Sequence, residues 1–239
     1  MSAILGVLLV VTAAGTKYGS MSEDVWRTET QRELSVLRTL PTCCENLKEV
    51  PVRGKLSTRK AKVDITEANA KVRELPEDLS PVIAFDVPPS SQRRTVEFWS
   101  YSRKKSMFVR NLDRMFFIRP NVYFLDSEGQ VIAQHTNVAM CWDAISPIGL
   151  WARFVVDDPR ITRMVISSNL EVPNQSINFH TLWAPVGVKA ISEAVGEYAN
   201  MQTVWFARTG KIAARFVKNE KGAYGHCASD RAPDEKKWW

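Results

Sequence analysis

Few residues of this sequence have the type and spacing that catalytic chemistry requires. The 239 residues include three histidines, His135, His180 and His226, and none of them lies in a nucleophile or metal-ligand motif. The chain also has no nucleophile elbow, zinc-protease motif or glycine-rich phosphate loop. Asp157 and Asp158 form a carboxylate pair, but an Asp-Pro sequence is typical of a turn in which the Asp side chain bonds its own backbone. We therefore predict that the protein is not an enzyme and that it binds no metal or cofactor.

Two aromatic residues have a spacing that suits ligand binding. The segment RTVEFWSYS is predicted to form a strand, and alternation places its Val96 and Phe98 on one face. Glu97, Trp99 and Tyr101 then lie on the opposite face. Flat aromatic rings stack against the C–H faces of sugars, so Trp99 and Tyr101 are candidate carbohydrate-binding residues that we expect to be exposed. The alternative is that they are core residues, as most tryptophans of a β-sandwich are.

The positive charge of the chain is concentrated in two stretches. The formal net charge is +6, with eight basic and two acidic residues in 93–119, and five basic residues without an acid in 53–62. Such stretches suit an acidic polysaccharide, lipid phosphate or an acidic protein surface, or they are solvated loops and protected strand edges. The candidates for an anionic-partner surface are Arg53, Lys55, Arg59, Lys60, Arg93, Arg94, Arg103, Lys104 and Lys105. No nucleic-acid-binding motif is present, so nucleic acid is not an expected partner.

The four cysteines predict disulfide bonds. Cys43, Cys44, Cys141 and Cys227 are an even number without the paired spacing of a zinc site. In an exported protein they would be oxidised, and three pairings are open. The alternative is four reduced, buried thiols in a cytosolic protein.

The N-terminus resembles the hydrophobic region of a signal peptide. The apolar run at 3–14 is too short to span a bilayer and is followed by small residues, so we predict cleavage near Ala13. A basic segment before the run is missing, and an uncleaved buried segment is the alternative. Secretion is therefore the expected fate of the chain.

Composition and periodicity predict a mainly β protein. With 45% hydrophobic and 24% charged residues, the chain is globular, which excludes collagen, coiled coil and low-complexity disorder. Short apolar segments separated by Pro, Asp and Gly turns between 80 and 168 favour an antiparallel β-sandwich. A short helix is expected at 22–40, stopped by Pro41, and a strand near 62–65.

The last third of the chain has a different pattern. It predicts a helix at 186–201 and then a hairpin at 202–218 with Gly210 at its turn. The predicted division of the chain is a leader at 1–15, an N-terminal extension at 16–42, a β-sandwich domain at 43–170, a helix and hairpin subdomain at 171–218, and a polar tail at 219–239.

Several short motifs resemble the maltose operon periplasmic protein family of Gram-negative bacteria. They are SPVIAFDVP at 80–88 and RPNVYFLD at 119–126, with a similar separation. The Cys-Cys-x-x-Leu-x-x-Val-Pro stretch at 43–51 and the segment 207–218 are also similar to parts of the family. The resemblance implies an exported β-rich protein without enzymatic activity and with a role in maltodextrin uptake or envelope glycan. It also implies localisation in the periplasm, with association at the outer membrane as an option. An outer-membrane porin is the partner that it suggests.

Together, these features predict a non-catalytic periplasmic protein that binds carbohydrate or assists carbohydrate transport across the envelope. A glycan or maltodextrin is the expected ligand, with Trp99 and Tyr101 as its contacts. The alternative is a structural accessory subunit of a cell-envelope complex, which docks on an envelope or outer-membrane protein through its basic stretches and terminal extensions.

Overall fold

A computed structural model describes residues 23–66, 71–74, 79–101, 116–136, 138, 140–142, 149–171, 174–178 and 201–217. These residues contain a helix, α1 (Glu23–Leu37), and a short 3₁₀ turn at Leu47–Glu49. The strands are β1 (Val52–Lys55), β2 (Ala61–Ile65), β3 (Lys71–Glu74), β4 (Leu79–Asp86), β5 (Arg94–Tyr101), β6 (Phe116–Phe117), β7 (Pro120–Leu125), β8 (Val131–His135), β9 (Cys141–Trp142), β10 (Gly149–Val156), β11 (Arg163–Ser168), β12 (Asn174–Asn178), β13 (Met201–Phe206) and β14 (Gly210–Phe216).

The strands form two large sheets and one small sheet. The first sheet has the order β1-β4-β11-β7-β8, with β3 also paired to β4, and the second has the order β2-β14-β5-β10-β9. The small sheet has the order β12-β13-β6. The β1–β4 and β13–β6 pairs are parallel, and the other described pairs are antiparallel. The prediction of a mainly β, sandwich-like fold is confirmed.

The hydrophobic core joins the facing sides of the sheets. Phe85 of β4 and Phe124 of β7 belong to the same buried cluster as Phe98 of β5 and Phe154 of β10. Alternation along each strand produces this arrangement, because every second side chain points to the same face. Burial of each such side chain contributes about 1.5–3 kcal/mol of transfer free energy. The β5 residues between these core positions therefore lie on the outer face of the second sheet.

The segment 43–50 lies against the outer face of the first sheet. Cys43, Cys44 and Leu47 pack with Val82 and Val165 in a second buried cluster. Cys43 and Cys44 form a disulfide bond with each other, and Cys141 is also disulfide-bonded. These bonds agree with the predicted oxidation of the cysteines. Cys227 lies outside the described residues.

The N-terminal helix is confirmed, and one side of it packs on the sandwich. The buried residues Thr30, Glu33 and Leu37 are spaced three and four residues apart, as a helical stripe requires. The Glu33 carboxylate is 1% exposed and accepts hydrogen bonds from the backbone N–H of Arg208 (3.1 Å) and the hydroxyl of Thr209 (2.7 Å). In the part of the chain that the structure describes, no helix is long and apolar enough to cross a membrane.

The predicted C-terminal hairpin is wrong, because its two strands belong to different sheets. β13 pairs with β12 and β6, whereas β14 lies between β2 and β5. Residues 207–209 cross between the sheets, and the Ala207 N–H bonds the Phe117 carbonyl at 2.8 Å instead of a partner across a turn. Gly210, with φ +155°, is the first residue of β14. A strand from the predicted 171–218 subdomain is thus part of the sandwich. Of the predicted helix at 186–201, Met201 is the first residue of β13, and the rest lies outside the described residues.

The predicted turn between β7 and β8 is confirmed. The Asp126 carboxylate accepts the backbone N–H groups of Glu128 (2.9 Å) and Gln130 (2.8 Å). Gly129 has φ +90°, in the left-handed region that side chains other than glycine rarely adopt. The register of β7 against β8, and so of the first sheet's edge, depends on this turn.

Candidate functional site

The candidate residues Trp99 and Tyr101 lie on the outer face of the second sheet, in the middle of its three central strands. Strand register places Arg215 and Arg153 on either side of Glu97, and Trp151 directly opposite Trp99. Directly opposed residues of an antiparallel pair point to the same side of the sheet. We call this surface the aromatic–arginine face and define it by Glu97, Trp99, Tyr101, Trp151, Arg153 and Arg215.

A carboxylate held between two arginines forms the first row of the face. The Nε and Nη2 atoms of Arg153 lie 3.2 and 2.9 Å from Glu97 Oε2, and those of Arg215 lie 2.9 and 2.7 Å from Oε1. Trp99 Nε1 donates a further hydrogen bond to Oε1 at 2.7 Å. Burial of Glu97 by itself raises its pKa, but the hydrogen bonds from Trp99, Arg153 and Arg215 outweigh burial, so the pKa lies below its ordinary value. Glu97 is therefore an ionised anchor and is poorly suited to donate or accept a proton in catalysis.

Cations cover the aromatic rings of the next rows. Lys60 Nζ lies 3.7 Å from the centre of the Trp99 ring and bonds the Tyr101 hydroxyl at 3.2 Å. The guanidinium carbon of Arg153 lies 4.5 Å from the centre of the Trp151 ring. Trp99 and Tyr101 stack with their ring centres 6.2 Å apart and their planes 13° apart. The distances of Lys60 and Arg153 from the ring centres are within the range of cation–π interactions.

The expected exposure of Trp99 is wrong. Its side chain lies on the outer face of the sheet, yet the residue is only 8% exposed, and Tyr101 is half-buried. The long basic side chain of Lys60, from the residue before β2, lies over the ring and contributes to this burial. A position on an outer face is therefore not the same as exposure to solvent.

The surroundings of the face are positively charged. Pairing of β2 with β14 adds Lys62, Asp64 and Lys211 to the same side of the sheet, and Lys211 Nζ lies 3.3 Å from Asp64 Oδ2. Counting only residues that the structure describes, five cations accompany two acids on this side of the sheet, which is a net charge of +3. The cations are Lys60, Lys62, Lys211, Arg153 and Arg215, and the acids are Glu97 and Asp64.

The predicted basic residues do not all lie together. Lys60 is at the aromatic–arginine face and Arg59 is exposed beside it in the chain, whereas Arg53 and Lys55 are exposed on β1 of the first sheet. Arg93 is exposed. The remaining candidates are Arg94, which donates to the Pro88 carbonyl at 2.5 Å and packs over Phe216, and Arg103, Lys104 and Lys105, which lie outside the described residues.

Residues that sequence reasoning set aside as catalysts have structural contacts. His135 packs against Phe124 and Phe154, with ring centres 5.9 and 5.2 Å away, and burial lowers its pKa. The Asp158 carboxylate accepts the backbone N–H of Arg160 at 2.9 Å, as the predicted turn requires. His180 and His226 lie outside the described residues. Among the residues that the structure does describe, no cluster of three or more His, Cys, Asp or Glu side chains could hold a metal ion.

A cavity of about 330 Å³ lies between α1 and the end of the first sheet. Its lining includes Trp26, Asn169 and Leu170, and it carries one cation, Arg208, and one acid, Glu171. The Trp26 indole N–H is bonded to the Phe206 carbonyl at 2.8 Å. The lining residues that the structure describes include no histidine.

Sequence reasoning missed Trp151, Arg153 and Arg215 as members of the face. The alternation of β10 does place Trp151 and Arg153 on one side of a strand, which was the available signal. Their pairing with β5 could not be found from spacing, because Arg153 and Arg215 are 56 and 118 residues from Glu97. The similarity to the maltose operon periplasmic protein family rests on short motifs and stays a prediction. No protein-family model, curated protein or solved structure matches this chain.

Proposed function

We propose that the protein is a non-catalytic carbohydrate-binding protein and that sugars bind on the aromatic–arginine face. The observation that carries the proposal is the placement of Trp99, Tyr101 and Trp151 on one outer surface of a sheet. Aromatic side chains supply a large contact area at a low cost in conformational entropy, because each has two side-chain torsions.

The contacts that hold these aromatic rings in place favour the binding of a ligand. Side chains on the central strands of a sheet are held by the neighbouring strands, and here the Trp99 indole N–H is additionally bonded to Glu97. A rigid surface loses little entropy when a ligand binds. The same network keeps the Glu97 carboxylate occupied by five hydrogen bonds, which favours binding over catalysis.

We propose the periplasm as the site of action. The Cys43–Cys44 bond and the oxidised Cys141 support an oxidising compartment, since cytosolic thiols are kept reduced. Assistance of carbohydrate transport across the envelope remains part of this proposal, and a maltodextrin or another glycan would be the ligand.

The test is a titration of the full chain with maltodextrins and with acidic glycans, followed by tryptophan fluorescence. We expect the emission to change on binding, because Trp99 and Trp151 lie on the proposed surface. Trp151→Ala should weaken binding about tenfold, equivalent to about 1.4 kcal/mol of lost contact free energy. Val131→Ala is the control, because Val131 is exposed on β8 of the other sheet. An unchanged spectrum at millimolar ligand would contradict the proposal.

A further inference from the structure

We propose that the aromatic–arginine face selects acidic saccharides, in which sugar rings carry carboxylate or sulfate groups, over neutral ones. This inference rests on the proposed function and names its ligand class. It follows from the cations that lie over the rings and from the excess of positive charge around them.

Lys60 restricts access to the Trp99 ring. A neutral sugar that stacks on this ring must displace Lys60, whose Nζ is 3.7 Å from the ring centre and is hydrogen-bonded to Tyr101. The ring gains attraction from the ammonium group, and that attraction is lost on displacement. The carboxylate or sulfate group of an acidic sugar can instead pair with the Lys60 ammonium group. Lys60 then stays between the Trp99 ring and the acidic group, and its contact with the ring is kept.

A cation also covers the ring of Trp151. The Arg153 guanidinium lies over this ring while two of its nitrogens are bonded to Glu97. Its Nη1 atom is buried and has no hydrogen-bond partner among the described residues. A buried donor without an acceptor carries a desolvation cost, which an anionic ligand nearby reduces.

The described part of the face carries more positive than negative charge. One carboxylate, Glu97, is shared between two guanidinium groups, so the row Arg215, Glu97 and Arg153 keeps a positive charge. With Lys60, Lys62, Lys211 and Asp64 added, the charges that the structure describes on this side of the sheet sum to +3. Such a surface attracts anions and repels cations, with a dependence on ionic strength.

The surface fits a saccharide better than a membrane. Binding to lipid uses exposed apolar side chains that enter the headgroup region. The exposed large apolar residues of the described chain are Val25, Val52 and Val131, and all three lie outside the second sheet. The aromatic rings of the face are instead fixed on strands under cations.

The experiment compares tetragalacturonic acid with its fully methyl-esterified form, which has the same rings without the charge. Isothermal titration calorimetry with the full chain should show binding of the acid at least about tenfold tighter, the range of a charge-assisted hydrogen bond, and weakening of that binding at high salt. Equal affinities would overturn the inference and leave the proposed function standing. Absence of binding to both forms, and to the maltodextrins, would overturn the two proposals together.

Lys60→Ala provides the sharper test, with Lys71→Ala as the matched control. Lys71 is an exposed lysine on β3 of the first sheet. Lys60→Ala should weaken binding of the acid about tenfold, as expected for loss of one charged contact. It should also strengthen binding of the methyl ester, because Trp99 is uncovered. Lys71→Ala should change neither affinity. Unchanged affinities in Lys60→Ala would contradict the assigned role of Lys60.

Two further probes separate saccharides from other anions. A glutamate homopeptide of similar charge tests an acidic protein surface, and vesicles containing phosphatidylglycerol test lipid phosphate. Weaker binding of both than of tetragalacturonic acid supports the saccharide assignment. Equal or tighter binding of either one would overturn it.

Discussion

At the scale of single residues, the carboxylate of Glu97 connects three strands of the second sheet. It is 2% exposed and accepts hydrogen bonds from Trp99 on its own strand, Arg153 on β10 and Arg215 on β14. Removal of the charge leaves two guanidinium groups close together without their shared partner. Breaking a buried ion pair by removing one partner is strongly destabilising, because the other charge remains buried.

We expect Glu97→Gln to lower the free energy of unfolding by about 2–4 kcal/mol, below the full cost for a deeply buried pair because both arginines are partly exposed. Urea denaturation measures this change. Asp64→Asn is the control, since the Asp64 side chain is 57% exposed and makes a surface ion pair with Lys211. A loss for Glu97→Gln no larger than for Asp64→Asn would contradict the anchoring role of Glu97.

The same variant has a defined pH dependence. The pKa of Glu97 is lower in the folded protein than its ordinary value of 4.5, so its ionised form stabilises the fold above that pH. This contribution is lost as the pH falls through the folded pKa. The difference between wild type and Glu97→Gln should therefore be constant near neutral pH and shrink on acidification below 4.5.

The residue pattern predicted one half of this site. Alternation correctly placed Glu97, Trp99 and Tyr101 on one face, since it depends only on neighbouring positions. The partners Arg153 and Arg215, and the cover provided by Lys60, depend on which strands pair. Pairing is a property of the whole sheet, so residue types and spacing could not predict it.

At the scale of elements, turn chemistry predicted strand boundaries better than strand partners. Gly129 was correctly placed at a turn, because a left-handed residue closes the β7–β8 connection. Gly210 has a similar sequence context, yet the strands around it enter different sheets. The pairing of β14 with β2 and β5 competes with a local hairpin and prevails, since it buries Ile212 and Phe216 in the core.

We expect Gly129→Ala to destabilise the protein by about 1–3 kcal/mol, because a side chain is unfavourable at this positive φ. A Cβ atom there would also lie 2.7 Å from Lys48 Cβ, so the segment 43–50 would have to shift. Thermal unfolding checks the prediction. Gly54→Ala is the matched control, because its Cβ would meet Ala61 Cβ at an ordinary 3.6 Å and its φ is not in the positive region. Similar melting temperatures for both variants would contradict this view of the turn.

At the scale of the whole molecule, the sequence predicts the sandwich but does not predict how α1 packs against it. Short apolar strands and polar turns predict the class of fold, because the two sheets need a common apolar interior. The contacts of α1 with Arg208 and Thr209 join residues about 175 positions apart and have no local signal in the sequence.

The proposed export of the protein makes a prediction for the whole chain. We expect the native protein, purified without reductant, to lack the apolar leader after cleavage near Ala13. Cys43, Cys44 and Cys141 should resist alkylation until the protein is reduced, because all three are disulfide-bonded. Intact-mass and peptide mass spectrometry measure both properties, with a reduced and denatured sample as the control. An intact Met1 or alkylation before reduction would contradict export.

The segment 43–50 gives the sandwich two unequal sides. It occupies the outer face of the first sheet, with its cysteines and Leu47 packed on Val82 and Val165. The second sheet presents the aromatic–arginine face. Among the residues that the structure describes there is one such face, so the proposed function predicts that each copy binds a polysaccharide through a single surface. Many copies would coat a long polysaccharide side by side without cross-linking it, so saturation should leave the polymer in solution.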